Sequence, residues 1–338
     1  MNGPALLLAA TLASLAIGLS STPATAQIAK KVHRIGIVFS SVPIVNPPGC
    51  KDCSPAPLLE EGLRKLGWVN GSNIEILWRS AEGSHDRMRD IVAEFVLLPV
   101  DVLVATGYGA VEAARQTKQI PIVFPNVTDP VQAGLAKSFA QPGGNATGLS
   151  APISSQLDGK RLQLLKAVAP RASRVAILIW GGEHSNPYVD PALDSTARGL
   201  GLTVFDQPYR RPEDLVRSID EAVANCANAL MVVHHTWLYW TVHQKTIHEA
   251  ARRYRLPVIH HFLGAAESGG LLAYGHDTYA NYIRTPYYID RILRGTKPGA
   301  LPIEQPSRVQ LIVNVKAAKA IGLDIPHSVL LQADRVIE

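Results

Sequence analysis

Two histidine doublets mark the ends of two predicted strands in the second half of the chain. MVVHHTW contains His234 and His235, and PVIHHFLG contains His260 and His261. In open parallel sheets, ligands bind beyond the carboxyl ends of the strands. Imidazole can bind a transition metal, transfer a proton or hydrogen-bond to a polar ligand. The doublets are therefore candidates for a metal site, a catalytic site or the wall of a binding pocket.

Strand geometry limits how many of these histidines can reach one ligand. Adjacent residues on a strand point to opposite faces of the sheet, so one histidine of each doublet is expected to be buried against a helix. Two imidazoles of the doublets can bind a metal together with His276, but nothing in the sequence fixes the position of this third ligand. We favour contact with a polar or anionic ligand, and packing and metal binding stay open as alternatives. A histidine that donates to an anion predicts affinity that rises as the pH falls from about 8 to 6.

Short apolar strands alternate with amphipathic helical stretches in two similar series. The first series predicts strands at 34–41, 73–82, 100–107 and 120–127, and helices at 57–68, 85–98, 109–117 and 129–144. The second predicts strands at 174–182, 203–208, 229–237, 257–264, 270–277 and 307–315, and helices at 158–170, 190–202, 212–226, 241–256, 279–295 and 316–323. Pro286 predicts a break or kink in its helix. The alternation predicts two α/β units with parallel sheets flanked by helices, whose strand ends would line a shared cleft.

Candidate ligand contacts follow the first and third strands of the first unit. Ser40 and Ser41 end the first strand, where their hydroxyls and amides can hold a carboxylate or simply form a turn. Gly107 and Tyr108 end the third strand and open a helix, whose exposed N–H groups favour an anion. The ring of Tyr108 can stack on a flat ligand or pack at an interface.

Three more candidates follow the fourth strand, in NVTDP. Asn126 ends the strand, and Thr128 and Asp129 come directly after it. Asp129 can accept a hydrogen bond from a ligand ammonium group. It can equally cap a helix that begins at Pro130, and Thr128 has the same ambiguity.

The second unit adds aromatic and acidic candidates at its strand ends. Trp180 and Trp237 can each wall an aromatic pocket. Tyr274 lies near a predicted crossing between the units, and Asp277 beside it can bind the ligand or fix the hinge.

Composition excludes several classes of function. The 338 residues are 47% hydrophobic and 18% charged, which is typical of a globular chain, and the net charge of +5 is spread without a Lys/Arg block, so nucleic acid is not an expected partner. Cys50 and Cys53 form a CxxC pair, and Cys226 stands alone. No G-x-G-x-x-G, P-loop or G-x-S-x-G motif is present. We therefore expect no enzyme activity, no cofactor and no metal, and interpret the chain as a binding protein.

The first 26 residues have the pattern of an export signal. They carry no Lys, Arg, Asp or Glu and contain an apolar run followed by Ala24-Thr25-Ala26. This small-x-small sequence predicts cleavage near Ala26, with Gln27 as the first mature residue. An uncleaved anchor is the alternative. Cleavage predicts a periplasmic protein.

Three long stretches carry a family resemblance. LLEEGLRKLGWVNGSNIEILWRSAEG, IPIVFPNVTDPVQAGLAKSFAQPGGNATGLS and GTKPGALPIEQPSRVQLIVNVKAAKAIGLDIP resemble the substrate-binding proteins of ABC transporters of the tryptophan/tyrosine type. With shorter matches, the resemblance covers about residues 34–338. It implies a type I periplasmic binding fold, with two Rossmann-like lobes joined by a hinge of crossing strands. It also implies a small-molecule ligand that is handed to ABC permease subunits, with contact to the membrane only through the permease.

The resemblance also implies how the chain is divided. Lobe 1 is expected to contain 31–147 plus about 277–298, and lobe 2 to contain 148–276 plus about 299–338, in a protein that acts as a monomer. The doublets and a long first loop around Cys50 depart from the family pattern at ligand-facing positions. Specificity for an aromatic amino acid therefore does not follow from the resemblance alone, and a metal or metal chelate remains an alternative ligand.

Overall fold

A computed structural model describes residues 31–40, 42–46, 54–151, 157–181, 188–233, 241–305 and 308–338. The first half of the chain forms a parallel sheet of five strands in the order β2-β1-β3-β4-β5. Its strands are β1 (His33–Phe39), β2 (Ile74–Ser80), β3 (Val102–Ala105), β4 (Ile122–Val127) and β5 (Ala146–Ser150), and its helices are α1 (Ala56–Lys65), α2 (His85–Leu97) and α3 (Tyr108–Gln116). Neighbouring residues Ile37 and Val38 of β1 are both fully buried and belong to different core clusters. The apolar strands are thus covered on both faces, as a parallel sheet requires.

The second half forms a sheet of seven strands in the order β12-β11-β10-β9-β8-β6-β7. Its pairs are parallel except for β10 and β11, which are antiparallel. The elements are α4 (Asp158–Val168), β6 (Arg174–Trp180), α5 (Pro191–Gly199), β7 (Thr203–Tyr209), α6 (Leu215–Ala224), β8 (Ala229–Val232), α7 (Thr241–Arg253), β9 (Val258–His260), α8 (Gly264–Glu267), β10 (Leu272–His276), α9 (Thr278–Leu293), β11 (Val309–Asn314), α10 (Val315–Ala320), α11 (His327–Leu330) and β12 (Arg335–Ile337).

The chain passes between the two sheets three times. It leaves the first sheet after β5, returns between β10 and α9, and leaves again before β11. Helix α9 packs on α1 and on β4 of the first sheet. Glu304, on the third passage, runs beside β5: its N–H donates to the Gly148 carbonyl at 3.1 Å and its carbonyl accepts from the Ser150 N–H at 2.9 Å. This is the predicted fold of two α/β lobes joined by crossing strands.

Two local features differ from what the sequence pattern predicted. Residues 129–144 form turns rather than a helix, because Gly134 has a positive φ of 74° that ends the first turn, where the Leu135 N–H donates to the Pro130 carbonyl. Helix α9 is not broken at Pro286. The ring of Pro286 packs against Gly62 of α1, where an added Cβ would lie 2.6 Å from Pro286 Cγ. The helix thus continues through the proline, whose ring lies in the contact between α1 and α9.

Strand β5 was missed because ATGLS lacks the β-branched run of a typical buried strand. Gly148 has a φ of 148°, and a Cβ there would lie 2.0 Å from the Phe124 carbonyl oxygen of β4. Only glycine permits this approach. No helix in the described part of the chain is long and apolar enough to cross a bilayer.

Candidate ligand-binding cleft

The ends of β1 and β3 are joined by a small hydroxyl network. The Ser40 N–H donates to Thr106 Oγ1 at 2.8 Å, and the Ser40 hydroxyl donates to the Thr106 carbonyl at 2.9 Å. The two hydroxyl oxygens are 2.8 Å apart. Because each hydroxyl has one hydrogen and that of Ser40 is on the carbonyl, the Thr106 hydroxyl donates to Ser40 Oγ and would have to turn away from it to donate to a ligand. Sequence reasoning named Ser40 and missed Thr106, although Thr106 directly precedes Gly107. Ser41 lies outside the described residues.

Tyr108 lies along the first turn of α3. Its ring stacks on His85 at the start of α2, with centroids 4.6 Å apart and planes 15° apart, and its hydroxyl donates to Glu112 at 3.1 Å. Hydrogen bonds from Gln116 and Tyr108 hold the pKa of the Glu112 carboxyl below its ordinary value. This geometry favours the packing alternative for Tyr108. Gly107 caps α3 with a positive φ of 51°, which glycine adopts without strain.

The candidates after β4 make structural hydrogen bonds. Asn126 Oδ1 accepts from the amide of buried Asn281 at 2.7 Å, and the same amide lies 3.2 Å from the Ser150 carbonyl. Asn126 therefore ties β4 to α9 beside the first crossing. Asp129 accepts from the Gln132 N–H at 2.9 Å and caps the turn that follows. Thr128 is exposed.

In the second lobe, Trp180 ends β6 and is 40% exposed. Tyr274 of β10 is half-buried, and its carbonyl accepts from Arg161 Nε at 2.8 Å. Asp277 caps α9 by accepting from the Tyr279 N–H at 3.0 Å and the Ala280 N–H at 3.2 Å. His234, His235 and Trp237 lie outside the described residues.

His260 faces α7 inside the second lobe. It is 2% exposed, and its Nε2 lies 3.0 Å from Nε2 of His248. Burial lowers the pKa of His248 to about 4 and holds the pKa of His260 well below its ordinary value, so both rings are neutral at pH 7. We expected His260 in the ligand wall. Its ring lies on the helix side of the sheet, where it does not contact an anionic ligand directly.

His261 faces the other side of the same sheet, where it joins a buried ionic cluster. Its Nε2 lies 2.9 Å from Asp158 Oδ1, which also accepts from Arg161 at 2.6 Å, and Asp158 Oδ2 accepts from the Tyr188 hydroxyl at 2.6 Å. Asp158 is fully buried and Arg161 is 1% exposed. Burial alone opposes the charged carboxylate, but His261, Arg161 and Tyr188 together hold the pKa of Asp158 below its ordinary value.

A cavity of about 670 Å³ lies between residues of both lobes, and we call it the inter-lobe cavity. Its first-lobe wall includes Leu58 of α1 and Tyr279 of α9, and its second-lobe wall includes Phe262, directly after the doublet. The rings of Phe262 and Tyr279 have centroids 5.8 Å apart. Tyr279 continues to Tyr282 at 6.5 Å. Phe262 of the second lobe and Tyr279 of the first thus meet at the cavity wall, and Tyr282 lies behind it.

Polar groups complete the cavity wall. They include Asp277, Gln244, Ser268, His276, Gln310 and Arg308. A cavity of this size with aromatic walls and a few polar groups is typical of small-molecule sites. In the part of the chain that the structure describes, no group of three or more His, Cys, Asp or Glu side chains could hold a metal ion. The arrangement is suited to holding a small organic molecule between two lobes.

Two α/β lobes that enclose a cavity beside crossing strands define a bilobal binding protein of the type I periplasmic class. The model of the family described as "ABC transporter substrate binding protein" matches residues 57–337. The chain belongs to this family, as the sequence predicted. It is a binding component of a transport system and not an enzyme.

The chain is similar to a tyrosine-binding protein from Clostridioides difficile, with 25% identity over 264 residues that cover 78% of this chain and 75% of that protein. A solved conserved domain protein from Vibrio cholerae matches with a TM-score of 0.74 and 25% identity, covering 90% of this chain and 100% of that one. A domain of an ABC protein from Streptococcus pneumonia, solved in complex with L-Trp, matches with a TM-score of 0.72 and 23% identity, covering 91% of this chain and 100% of that one. The last two show that the same fold extends over nearly the whole chain.

Proposed function

We propose that this chain is the extracytoplasmic solute-binding component of an ABC importer and that its solute is a free amino acid with an aromatic side chain. The two lobes close on the solute by hinge motion and present it to the permease. In this proposal the mature chain begins near Gln27, acts in the periplasm as a monomer and meets the membrane only through the permease.

The observation that carries the proposal is the inter-lobe cavity. At about 670 Å³ it falls within the usual range for small-molecule sites. Phe262 and Tyr279 offer ring surface to an aromatic side chain. Asp277 caps α9 through Oδ1, and a carboxylate can accept further bonds, for example from an ammonium group. Arg308 on the same wall pairs with Asp334 at 2.6 Å, and its guanidinium has further N–H groups that can donate to a solute carboxylate.

A relative supports the same class of solute. The protein from Clostridioides difficile named for tyrosine binding is 25% identical over most of both chains. An aromatic amino acid combines a flat ring with a charged zwitterion, and the cavity offers rings together with both signs of charge. The structure favours this solute over a metal, because the second doublet is committed to contacts inside the lobe.

The test is calorimetry of purified protein against the twenty amino acids. Bound solute is first removed by partial unfolding, dialysis and refolding. We expect an aromatic amino acid to bind at least about tenfold more tightly than leucine, a difference of about 1.4 kcal/mol, and to raise Tm by mass action. Equal binding of aliphatic and aromatic amino acids, or binding of none, would reject the proposed solute. Zinc added to chelator-treated protein serves as the control for a metal-dependent signal.

A further inference from the structure

The second doublet ends β9 with one imidazole on each face of the sheet. On the α7 side, His260 Nε2 lies 3.0 Å from His248 Nε2, and His248 Nδ1 lies 3.3 Å from the Ser268 carbonyl. A carbonyl only accepts, so His248 carries its proton on Nδ1. Its Nε2 therefore accepts from the Nε2–H of His260. This series of bonds joins β9 to α7 and to the residue that follows α8.

On the α4 side, His261 is held by a second set of partners. Its Nε2 lies 2.9 Å from buried Asp158, whose other partners are Arg161 and Tyr188. Arg161 continues to the Tyr274 carbonyl of β10 at 2.8 Å. The end of β9 is thus attached to α4 and β10 on one face and to α7 on the other.

The residues directly after the doublet form the second-lobe wall of the inter-lobe cavity. Phe262 and Ser268 both line the cavity, and Ser268 is the residue whose carbonyl meets His248. Two glycines show how closely the residues around the doublet are packed. A Cβ on Gly275 would lie 2.0 Å from the His261 carbonyl oxygen, and a Cβ on Gly264 would lie 2.6 Å from the ring of Phe262. A small shift of the doublet would therefore be passed to the wall.

We propose that His260 and His261 are positioning residues that fix the end of β9 from both faces of the sheet and so hold Phe262 against Tyr279 in the wall of the inter-lobe cavity. The inference rests on the proposed function, because it assigns this cavity to the solute. The histidines act on the solute through Phe262 and not by contact with it.

The positions of the neighbouring charges give this element a pH response. His248 and Arg252 of α7 lie on the side of His260, and Asp158 and Arg161 of α4 lie on the side of His261. A proton added to the His248–His260 pair places a charge in a buried site. It also brings the Nε2–H of His248 against the Nε2–H of His260, so the bond between the two rings is lost unless one ring turns. Burial already lowers the pKa of His248 to about 4. Affinity is therefore expected to hold between about pH 7.5 and 5 and to fall as the pH approaches 4, the reverse of a histidine that donates to an anionic solute.

The first experiment is calorimetry with L-tyrosine at about pH 7.5, 5 and 4. His260→Leu removes the donor to His248 and should weaken binding about tenfold at pH 7.5. His260→Gln keeps an amide near the position of Nε2 but does not titrate, so it should bind within about threefold of wild type and show a flatter acid response. His33→Gln is the matched control, since His33 opens β1 at the amino edge of the other sheet and lies 3.5 Å from Asp101. His33→Gln should bind L-tyrosine with the affinity of wild type at each pH.

A second variant tests the wall without changing a histidine. Gly264→Ala displaces the ring of Phe262, a side chain that can move, so the fold should survive. We expect it to weaken L-tyrosine binding about as much as His260→Leu while keeping the wild-type dependence on pH. Wild-type affinity in Gly264→Ala would overturn the role of Phe262.

Amide hydrogen exchange supplies a readout that needs no ligand. His260→Leu should speed exchange at 262–268, and His33→Gln should not. If wild type binds L-tyrosine and His260→Leu binds equally well with unchanged exchange, positioning is overturned and the proposed function stands. If His260→Leu lowers only Tm, the histidine is a packing residue and the inference is overturned. If wild type binds no amino acid, the proposed solute fails, and exchange at 262–268 alone decides whether the doublet positions the wall.

Discussion

The strand ends of the two lobes use opposite kinds of polar chemistry. In the first lobe, Ser40 and Thr106 bind each other through neutral hydroxyl and backbone groups. In the second, Asp158 and Arg161 form an ion pair that is almost completely buried, and His261 and Tyr188 complete it. Neutral hydrogen bonds lose little when they rearrange, whereas a buried charge that loses its partner costs several kcal/mol. The first lobe can therefore adjust to a ligand, and the second is held in one arrangement.

The largest effect should come from breaking the ionic cluster. Arg161→Met leaves Asp158 buried without its guanidinium partner, and we expect it to cost about 3–5 kcal/mol of unfolding free energy. The matched control is Arg284→Met, which breaks a half-exposed pair with Glu304 and should cost less than about 1 kcal/mol. Urea denaturation of both variants checks the difference. Equal losses would show that burial does not distinguish the two pairs.

The next effect is a loss of stability at acidic pH that arises from His248 in the second lobe. The pKa of His248 is about 4 in the folded protein and 6.5 without burial. Between these pH values the unfolded chain binds a proton that the folded chain does not, so stability falls as the pH drops from about 6.5 to 4. The loss from this residue should approach about 3 kcal/mol.

His248→Gln checks this assignment, because it removes the titrating group and should flatten the slope. The measurement is urea denaturation at several pH values between about 4 and 7. A wild-type slope in His248→Gln would place the acid response elsewhere.

A smaller effect is expected from the hydroxyl network. Thr106→Val removes the acceptor of the Ser40 N–H and should cost about 1–2 kcal/mol of stability. If the Thr106 hydroxyl also donates to the solute carboxylate, L-tyrosine binding should weaken about tenfold. Thr106→Ser keeps the hydroxyl and should restore both quantities. Calorimetry and urea denaturation of the two variants give the comparison, and unchanged affinity in Thr106→Val would confine the hydroxyl to the fold.

The smallest effect is expected at Tyr108. Tyr108→Phe removes the hydrogen bond to Glu112 but keeps the stack on His85, so it should cost less than about 1 kcal/mol and leave affinity unchanged. Calorimetry checks this directly. A large loss of affinity in Tyr108→Phe would mean that the ring turns from α3 toward the solute, and the first lobe would then use more than its hydroxyl network.

Local patterns predicted most of the fold because buried strands such as β1 and β9 are continuous apolar runs. They failed at 129–144, where apolar spacing resembles a helix but Gly134 takes a left-handed conformation. They also failed at β5, which depends on Gly148 approaching Phe124 across the sheet. These features depend on one backbone angle or one contact between strands, and neither is visible in periodicity.

Of the candidate contacts that the sequence placed at strand ends and that the structure describes, only Asp277 lines the inter-lobe cavity. Alternation along β9 implied that His260 and His261 face opposite sides, and they do. We expected one histidine of each doublet near the ligand, yet both members of this doublet are buried. Their partners, His248 on α7 and Asp158 on α4, lie 12 and 103 residues earlier in the chain. Only the packing of the helices on the two faces brings them together.

Helix α9 determines the order in which the first lobe can be completed during synthesis. Its buried residues Tyr288, Ile289 and Ile292 share a core cluster with Ile35 of β1 and Leu59 of α1. The strands of that sheet leave the ribosome first, but the helix that covers them follows the whole run from α4 to β10. Helix α1 covers only part of that apolar face, so the rest remains uncovered while more than a hundred residues are added, and transiently exposed apolar surface favours aggregation. A chain that stops at β5 would keep this part of the face open, so the core of the first lobe is completed only after β10 has been made.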